Sequence, residues 1–126
     1  MEFSKIHHLA VICHDRRAAL DFYVAKLGFK IIAQHQRPKQ ADWKIDLQQK
    51  DLVLELFIKP NAPQRPSYPE ACGLRHLAFA VDDIQAAAAF LEKKGIFHQA
   101  IRTDEFTGKK MLFFFDPDGL PLELHE

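Results

Sequence analysis

The sequence predicts an α+β fold made of two tandem βαβββ modules, and three observations predict it. One signal occurs twice at a period of 68 residues: His8-Leu9-Ala10-Val11 in the first half is matched by His76-Leu77-Ala78-Phe79 in the second. Each histidine is followed after 47 residues by a glutamate in an apolar run, Glu55 in Leu52-Val53-Leu54-Glu55-Leu56-Phe57 and Glu123 in Leu120-Pro121-Leu122-Glu123-Leu124-His125. Between the halves lies a stretch with Pro60, Pro63, Pro66 and Pro69 and no hydrophobic periodicity. Self-similarity at a fixed period marks a duplicated unit. The 126 residues make one domain by length. Half of that chain buries too little core to stand alone, so each module must lean on its twin or on another copy.

The elements follow in order. Residues 6–12 form an apolar run without charge and read as a buried strand. Asp15 caps a helix whose Ala18, Ala19, Phe22, Tyr23 and Leu27 recur at helical spacing, and Gly28 stops it. Residues 29–36, 43–47 and 52–58 read as strands, with 48–51 as a hairpin turn before the last. This first module covers 4–58. Residues 59–73 form a linker stiffened by its prolines. The second module, 74–126, repeats the order. A strand at 74–81, an Ala-rich helix at 83–94 stopped by Gly95, and strands at 96–102, 109–115 and 120–125 complete it. Asp116-Pro117-Asp118-Gly119 is the turn into the last strand.

Bulk properties narrow the function. Lysine and arginine total 17, as do aspartate and glutamate, and no long run of like charge occurs, so neither nucleic acid nor an anionic membrane is expected as a partner. The N-terminal residues carry no apolar signal segment and no stretch spans a membrane. Cys13 and Cys72 stand far apart, as suits a reducing cytoplasm.

The duplicated residues form a metal-ligand inventory. Residues two apart on a strand share a face, so His8 lies with Ala10 and Ile12, and His76 with Ala78 and Ala80; small neighbours leave room beside each imidazole. A carboxylate in an apolar strand costs several kcal/mol to desolvate unless it is paired or metal-bound. Neither glutamate has a lysine or arginine on its own strand. Any one of these residues alone would be read as an ordinary core or edge side chain. The repeated interval sets them apart, and it selects His8 over the neighbouring His7. Two imidazoles and two carboxylates suit Zn, Ni, Co, Mn or Fe and are too rich in nitrogen for calcium. Four such ligands on an octahedral ion leave two positions for substrate oxygens, which is the arrangement Lewis-acid and proton-transfer chemistry needs.

Several segments carry a family resemblance. Asp21-Phe22-Tyr23-Val24-Ala25-Lys26-Leu27-Gly28-Phe29, Gly73-Leu74-Arg75-His76-Leu77-Ala78-Phe79 and Asp116-Pro117-Asp118-Gly119-Leu120-Pro121-Leu122-Glu123-Leu124 resemble the motifs of the vicinal oxygen chelate superfamily, the glyoxalase, bleomycin-resistance and extradiol-dioxygenase group. The resemblance runs essentially end to end and is closest to the YaeR-like branch of glyoxalase-I-like bacterial proteins, through the run Pro69 to His76. It implies paired modules whose sheets curl around a central metal, with His8, Glu55, His76 and Glu123 on the four ligand positions of bacterial glyoxalase I. It also implies Glu123 as the proton-shuttling base, with Glu55 as the alternative, and a homodimer as the common assembly. One departure stands out: four positions beyond His8, where glyoxalase I carries an arginine for the glutathione part of its substrate, this chain has Ile12. Losing a guanidinium that pairs with a carboxylate removes a strong charge-assisted contact.

The reading is therefore a cytoplasmic, metal-dependent lyase or isomerase of the glyoxalase type, acting on a small substrate with adjacent oxygens. Two rivals stand beside it. His8, His76 and Glu123 also supply the two-His, one-Glu set of Fe(II) dioxygenases and of the fosfomycin-resistance transferases and hydrolases, though Glu55 has no place in the former. A non-catalytic small-molecule-binding module is the other. Arg37, Lys44, Arg75, Arg102, Lys109 and Lys110 are candidates for holding an anionic substrate, and Trp43 and Phe113 for walling the pocket.

Overall fold

A computed structural model describes residues 1–126, which divide into two units, Met1–Pro63 and Gln64–Glu126. In the first unit, strand β1 (Leu9–Cys13) alternates buried Val11 and Cys13 with exposed Ala10 and Ile12. The uncharged run at 6–12 is thus half-buried, not fully buried, and starts three residues later than expected. Asp15 caps helix α1 (Arg16–Leu20), its side chain accepting from the Ala18 amide at 2.6 Å. The expected single α-helix then widens into a π-helical turn over Asp21–Lys26. Phe22 and Tyr23 explain the widening. Both are buried, yet neighbours on an α-helix point about 100° apart, and the wider turn brings both rings toward the sheet. Their planes meet edge to face at 5.0 Å. Gly28, at φ +84°, ends the helix.

Strands β2 (Lys30–Arg37), β3 (Asp42–Gln49) and β4 (Leu52–Ile58) follow, and the sheet order is β1-β4-β3-β2. β1 runs parallel to β4, and the other pairs are antiparallel. Ile45, Leu47, Leu54, Leu56 and Ile58 fill the face that packs on the helix. The opposite face carries Glu55, Phe57, Lys44 and Asp46, because residues facing each other across a ladder share a side of the sheet. At the strand end Asp42, almost wholly buried, takes two hydrogen bonds of 2.6 Å from Arg37 and one of 2.9 Å from Lys59. That network ties β2, β3 and the chain just after β4 together.

The second unit repeats the plan with β5 (Leu77–Ala80), α2 (Ile84–Lys93), β6 (Arg102–Thr103), β7 (Lys110–Phe115) and β8 (Pro121–His125), in the order β5-β8-β7-β6. β5 is again parallel to β8. The α+β class and the βαβββ order hold in both units. The strand expected over 96–102 shrinks to Arg102–Thr103, with one isolated bridge between His98 and Phe114. Only Ile96 of the segment's apolar residues is buried, while Phe97 stands in solvent, so no apolar face holds it flat on the sheet. Ile84, Ala88, Leu91, Leu112, Phe114 and Leu122 form the core between α2 and the sheet. Arg65 fastens the proline-rich stretch from within this unit, donating to the carbonyls of Leu74 at 3.0 Å and Arg75 at 2.9 Å.

Candidate metal centre

In each unit a histidine precedes the first strand, and a glutamate sits where the last strand runs parallel to it. Ala10 lies opposite Glu55 in one ladder and Ala78 opposite Glu123 in the other. The histidine two residues before each alanine therefore reaches the carboxylate on its own face. His8 Nε2 stands 3.5 Å from Glu55 Oε2, and His76 Nε2 stands 2.8 Å from Glu123 Oε2. The alanines supply the clearance that an imidazole needs there.

The surroundings of the two pairs differ. The His8 side chain is 39% exposed and Glu55 18%, so the buried imidazole expected at this position is in fact half in solvent. Its ring packs edge to face on His7, with the two Nδ1 atoms 2.9 Å apart, which leaves Nε2 as the nitrogen that turns to Glu55. Glu55 is not without a cation. Lys44, from the neighbouring strand β3, places its ammonium 2.9 Å from Glu55 Oε1 and 2.5 Å from Asp46 Oδ1. Asp46 is the residue directly opposite Glu55. The hydrogen bond to Asp46, followed by that to Glu55, raises the Lys44 pKa above its ordinary value and keeps the ammonium charged.

In the second unit the residue opposite the glutamate is Phe113, and the position matching Lys44 holds Met111. The Phe113 ring stands edge-on to His76 at 5.1 Å and fixes the plane of the imidazole. Glu123 has only 7% of its side chain exposed, and no lysine or arginine pairs with it. His76 Nδ1 is buried without a hydrogen-bond partner. A carboxylate this deep needs a compensating charge, and an imidazole with an unsatisfied buried nitrogen beside it is itself an expensive arrangement. A divalent cation would meet that deficit, and an imidazole nitrogen with a carboxylate oxygen is a suitable donor pair for a transition metal. Within either unit no three His, Cys, Asp or Glu side chains converge as donors; each unit brings together one His–Glu pair.

The remaining candidates sort by face. Trp43 lies opposite Ile58 on the helix side of its sheet, under the Arg16 guanidinium at 4.8 Å, and is no wall for Glu55. Phe113 is on the glutamate's face. Arg37 is committed to Asp42, and Arg75 pairs with Glu70 at 3.2 Å. Arg102 stacks over Phe113 at 5.3 Å. Lys109 and Lys110 are exposed at the edge of β7. Near Glu123, His125 has its pKa raised, chiefly by the Glu126 carbonyl at 2.8 Å and then by Asp104 at 3.5 Å. The partner of Glu55 is Lys44 on the neighbouring strand, not a residue of its own strand. The hairpin register held the signal, since a two-residue turn at Lys50-Asp51 puts Asp46 opposite Glu55.

Sequence and fold both have close relatives. Residues 5–124 match the profile of the Glyoxalase/Bleomycin resistance protein/Dioxygenase superfamily. The chain is 50% identical over 124 residues to the uncharacterized protein YaeR of Escherichia coli (strain K12), a match covering 98% of this chain and 96% of that one. It superposes on the crystal structure of a glyoxalase family protein from Enterococcus faecalis with a TM-score of 0.97 at 54% identity, over the full length of both. It is also 26% identical to a lactoylglutathione lyase of Schizosaccharomyces pombe (strain 972 / ATCC 24843), over 98% of this chain and 48% of that longer protein. No helix is long and apolar enough to cross a membrane. The chain belongs to the Glyoxalase/Bleomycin resistance protein/Dioxygenase superfamily.

Proposed function

We propose that this protein is a divalent-metal-dependent lyase or isomerase of the glyoxalase I type, with His8, Glu55, His76 and Glu123 as metal ligands. The carrying observation is the repeated pairing: in both units a histidine Nε2 turns to the glutamate at the parallel strand junction. Each unit supplies two of the four proposed ligands, and a homodimer is the proposed assembly. Members of the superfamily commonly hold a divalent ion, and Zn, Ni, Co, Mn and Fe all suit these donors. When bound, the ion supplies Lewis-acid polarisation of two adjacent substrate oxygens.

The rest is done by side chains of the chain itself. Glu123 takes a proton from the carbon beside a substrate carbonyl and returns it to the neighbouring carbon. Its burial keeps bulk water from exchanging that proton. Phe113 keeps the His76 ring from turning away. Ile12, 56% exposed on the same strand face as Ala10 and His8, offers an apolar wall. A small oxygenated substrate without a glutathione carboxylate fits that wall best, inside a cytoplasmic enzyme. The lactoylglutathione lyase relative supports the reaction class, while Ile12 argues against the glutathione part.

Elemental analysis of the purified protein beside His76→Ala and Glu123→Ala tests the reading. The expected result is roughly one transition-metal ion per site in the parent, released with loss of either ligand. Parent protein that takes up no Zn, Ni, Mn or Fe(II) after incubation overturns it.

A further inference from the structure

The two half-sites present different charges to a cation, and the difference lies in one side chain. Lys44 holds Glu55 Oε1 at 2.9 Å and Asp46 Oδ1 at 2.5 Å, with a quarter or less of each of the three side chains exposed. Glu55 turns its other oxygen, Oε2, to His8 Nε2. No lysine or arginine pairs with Glu123; the matching position is the uncharged Met111, and His125 opposite it bonds Asp104 and the Glu126 carbonyl instead of Glu123. Met111 pairs with its neighbouring strand at the same ladder position as Lys44, so the ammonium is not what strand pairing requires there.

We propose that Lys44 is a positioning residue that competes with the metal for Glu55, leaving it only Oε2 beside His8, so that the His76–Glu123 pair is the stronger half of the metal site. This rests on the metal reading above. An ammonium next to a ligand carboxylate opposes an incoming cation directly, and it also neutralises one of the two negative charges that Glu55 and Asp46 bring. Partial burial makes the opposition stronger than it would be at an open surface. Lys44 thereby lowers metal affinity and keeps Glu55 from closing on the ion with both oxygens.

Zinc affinity measured by competition with a chromophoric chelator tests this on the intact protein, with Lys44→Gln and Lys44→Arg beside the parent. Lys44→Gln is expected to bind zinc at least about tenfold more tightly. Lys44→Arg, which keeps the charge, is expected to stay at the parent value. A purely structural lysine would lower the thermal midpoint in Lys44→Gln and leave zinc affinity unchanged or weaker. Either of those affinities overturns the competition and leaves the metal site standing. Absence of zinc binding in all three proteins overturns the metal reading and this inference with it.

Discussion

The two units differ most where they are otherwise superimposable in plan. Opposite its glutamate the first unit places Asp46, bridged by Lys44, and the second places Phe113. Glu55 thus sits in a small network of alternating charges and Glu123 in an aromatic, nearly dry setting. The first environment satisfies a carboxylate without any metal. The second leaves a deficit, visible in the depth of Glu123 and in the unpartnered Nδ1 of His76. Duplication supplied two matching His–Glu pairs, and divergence of their neighbours left one charge-balanced and the other not.

The strongest way to break that comparison is to neutralise the glutamates one at a time. Glu123→Gln is expected to lower turnover of the metal-loaded protein by about 10³-fold, the scale of a lost general base. Glu55→Gln is expected to cost far less, both in turnover and in zinc affinity, because Lys44 already occupies part of that carboxylate. Equal losses in turnover would mean equivalent halves. Phe113→Ala probes the support of one half. Freed from its edge-on contact, the His76 ring samples other rotamers, and zinc affinity is expected to fall by roughly tenfold. Asp46→Ala, at the matching position, leaves Lys44 wholly to Glu55 and is expected to weaken zinc binding less than Phe113→Ala does. The reverse order would assign the metal chiefly to the first unit.

A pH experiment sharpens the contrast in fold stability. The hydrogen bonds from Arg37 and then Lys59 hold the Asp42 carboxyl down at about 2, from an ordinary value of 3.8. A carboxylate with a lowered folded pKa contributes stability in full above its unfolded value, and that stability is lost as pH falls. The contribution of Asp42 is therefore complete above about pH 4 and drains away between there and pH 2. Acid titration followed by circular dichroism is expected to show a shallower loss in Asp42→Asn than in the parent across that window. Unchanged slopes would place the acid-sensitive group elsewhere.

Much of this was legible in the sequence because duplication carries its own internal control. One histidine in a strand says little, but the same 47-residue interval twice singles out His8 with Glu55 and His76 with Glu123, and strand alternation puts each pair on one face. The βαβββ order came from the same comparison. The exposure of His8 did not, since burial depends on what covers a strand end and not on its apolar run. The π-helical widening at Asp21–Lys26 was hidden for a similar reason: helical spacing of apolar residues cannot report that two neighbours must both face the core. The strand expected over 96–102 failed because β-like composition does not say which side chains find a core. Lys44 is the instructive miss. Its partner is eleven residues away in sequence but adjacent across a hairpin, and register counting from Lys50-Asp51 would have revealed it.

The smallest effect separates the units at their helices. Asp83 accepts from two amides, Gln85 at 2.9 Å and Ala86 at 3.0 Å, while Glu126 takes the Ile84 amide at 3.0 Å. The first turn of the ten-residue α2 is therefore almost fully satisfied by side chains. Asp15 accepts from a single amide, Ala18, and heads an α-helical segment of only five residues before the turn widens. Asp83→Ala is expected to cost about 1 kcal/mol in urea unfolding, the usual value of an N-cap. Asp15→Ala is expected to cost less, because it frees one amide, and α1 is held mainly by the packing of Ala19, Phe22 and Tyr23. A larger loss from Asp15→Ala would mean that the short helix depends on its cap, and that the burial of Phe22 and Tyr23 follows from the helix instead of enforcing it.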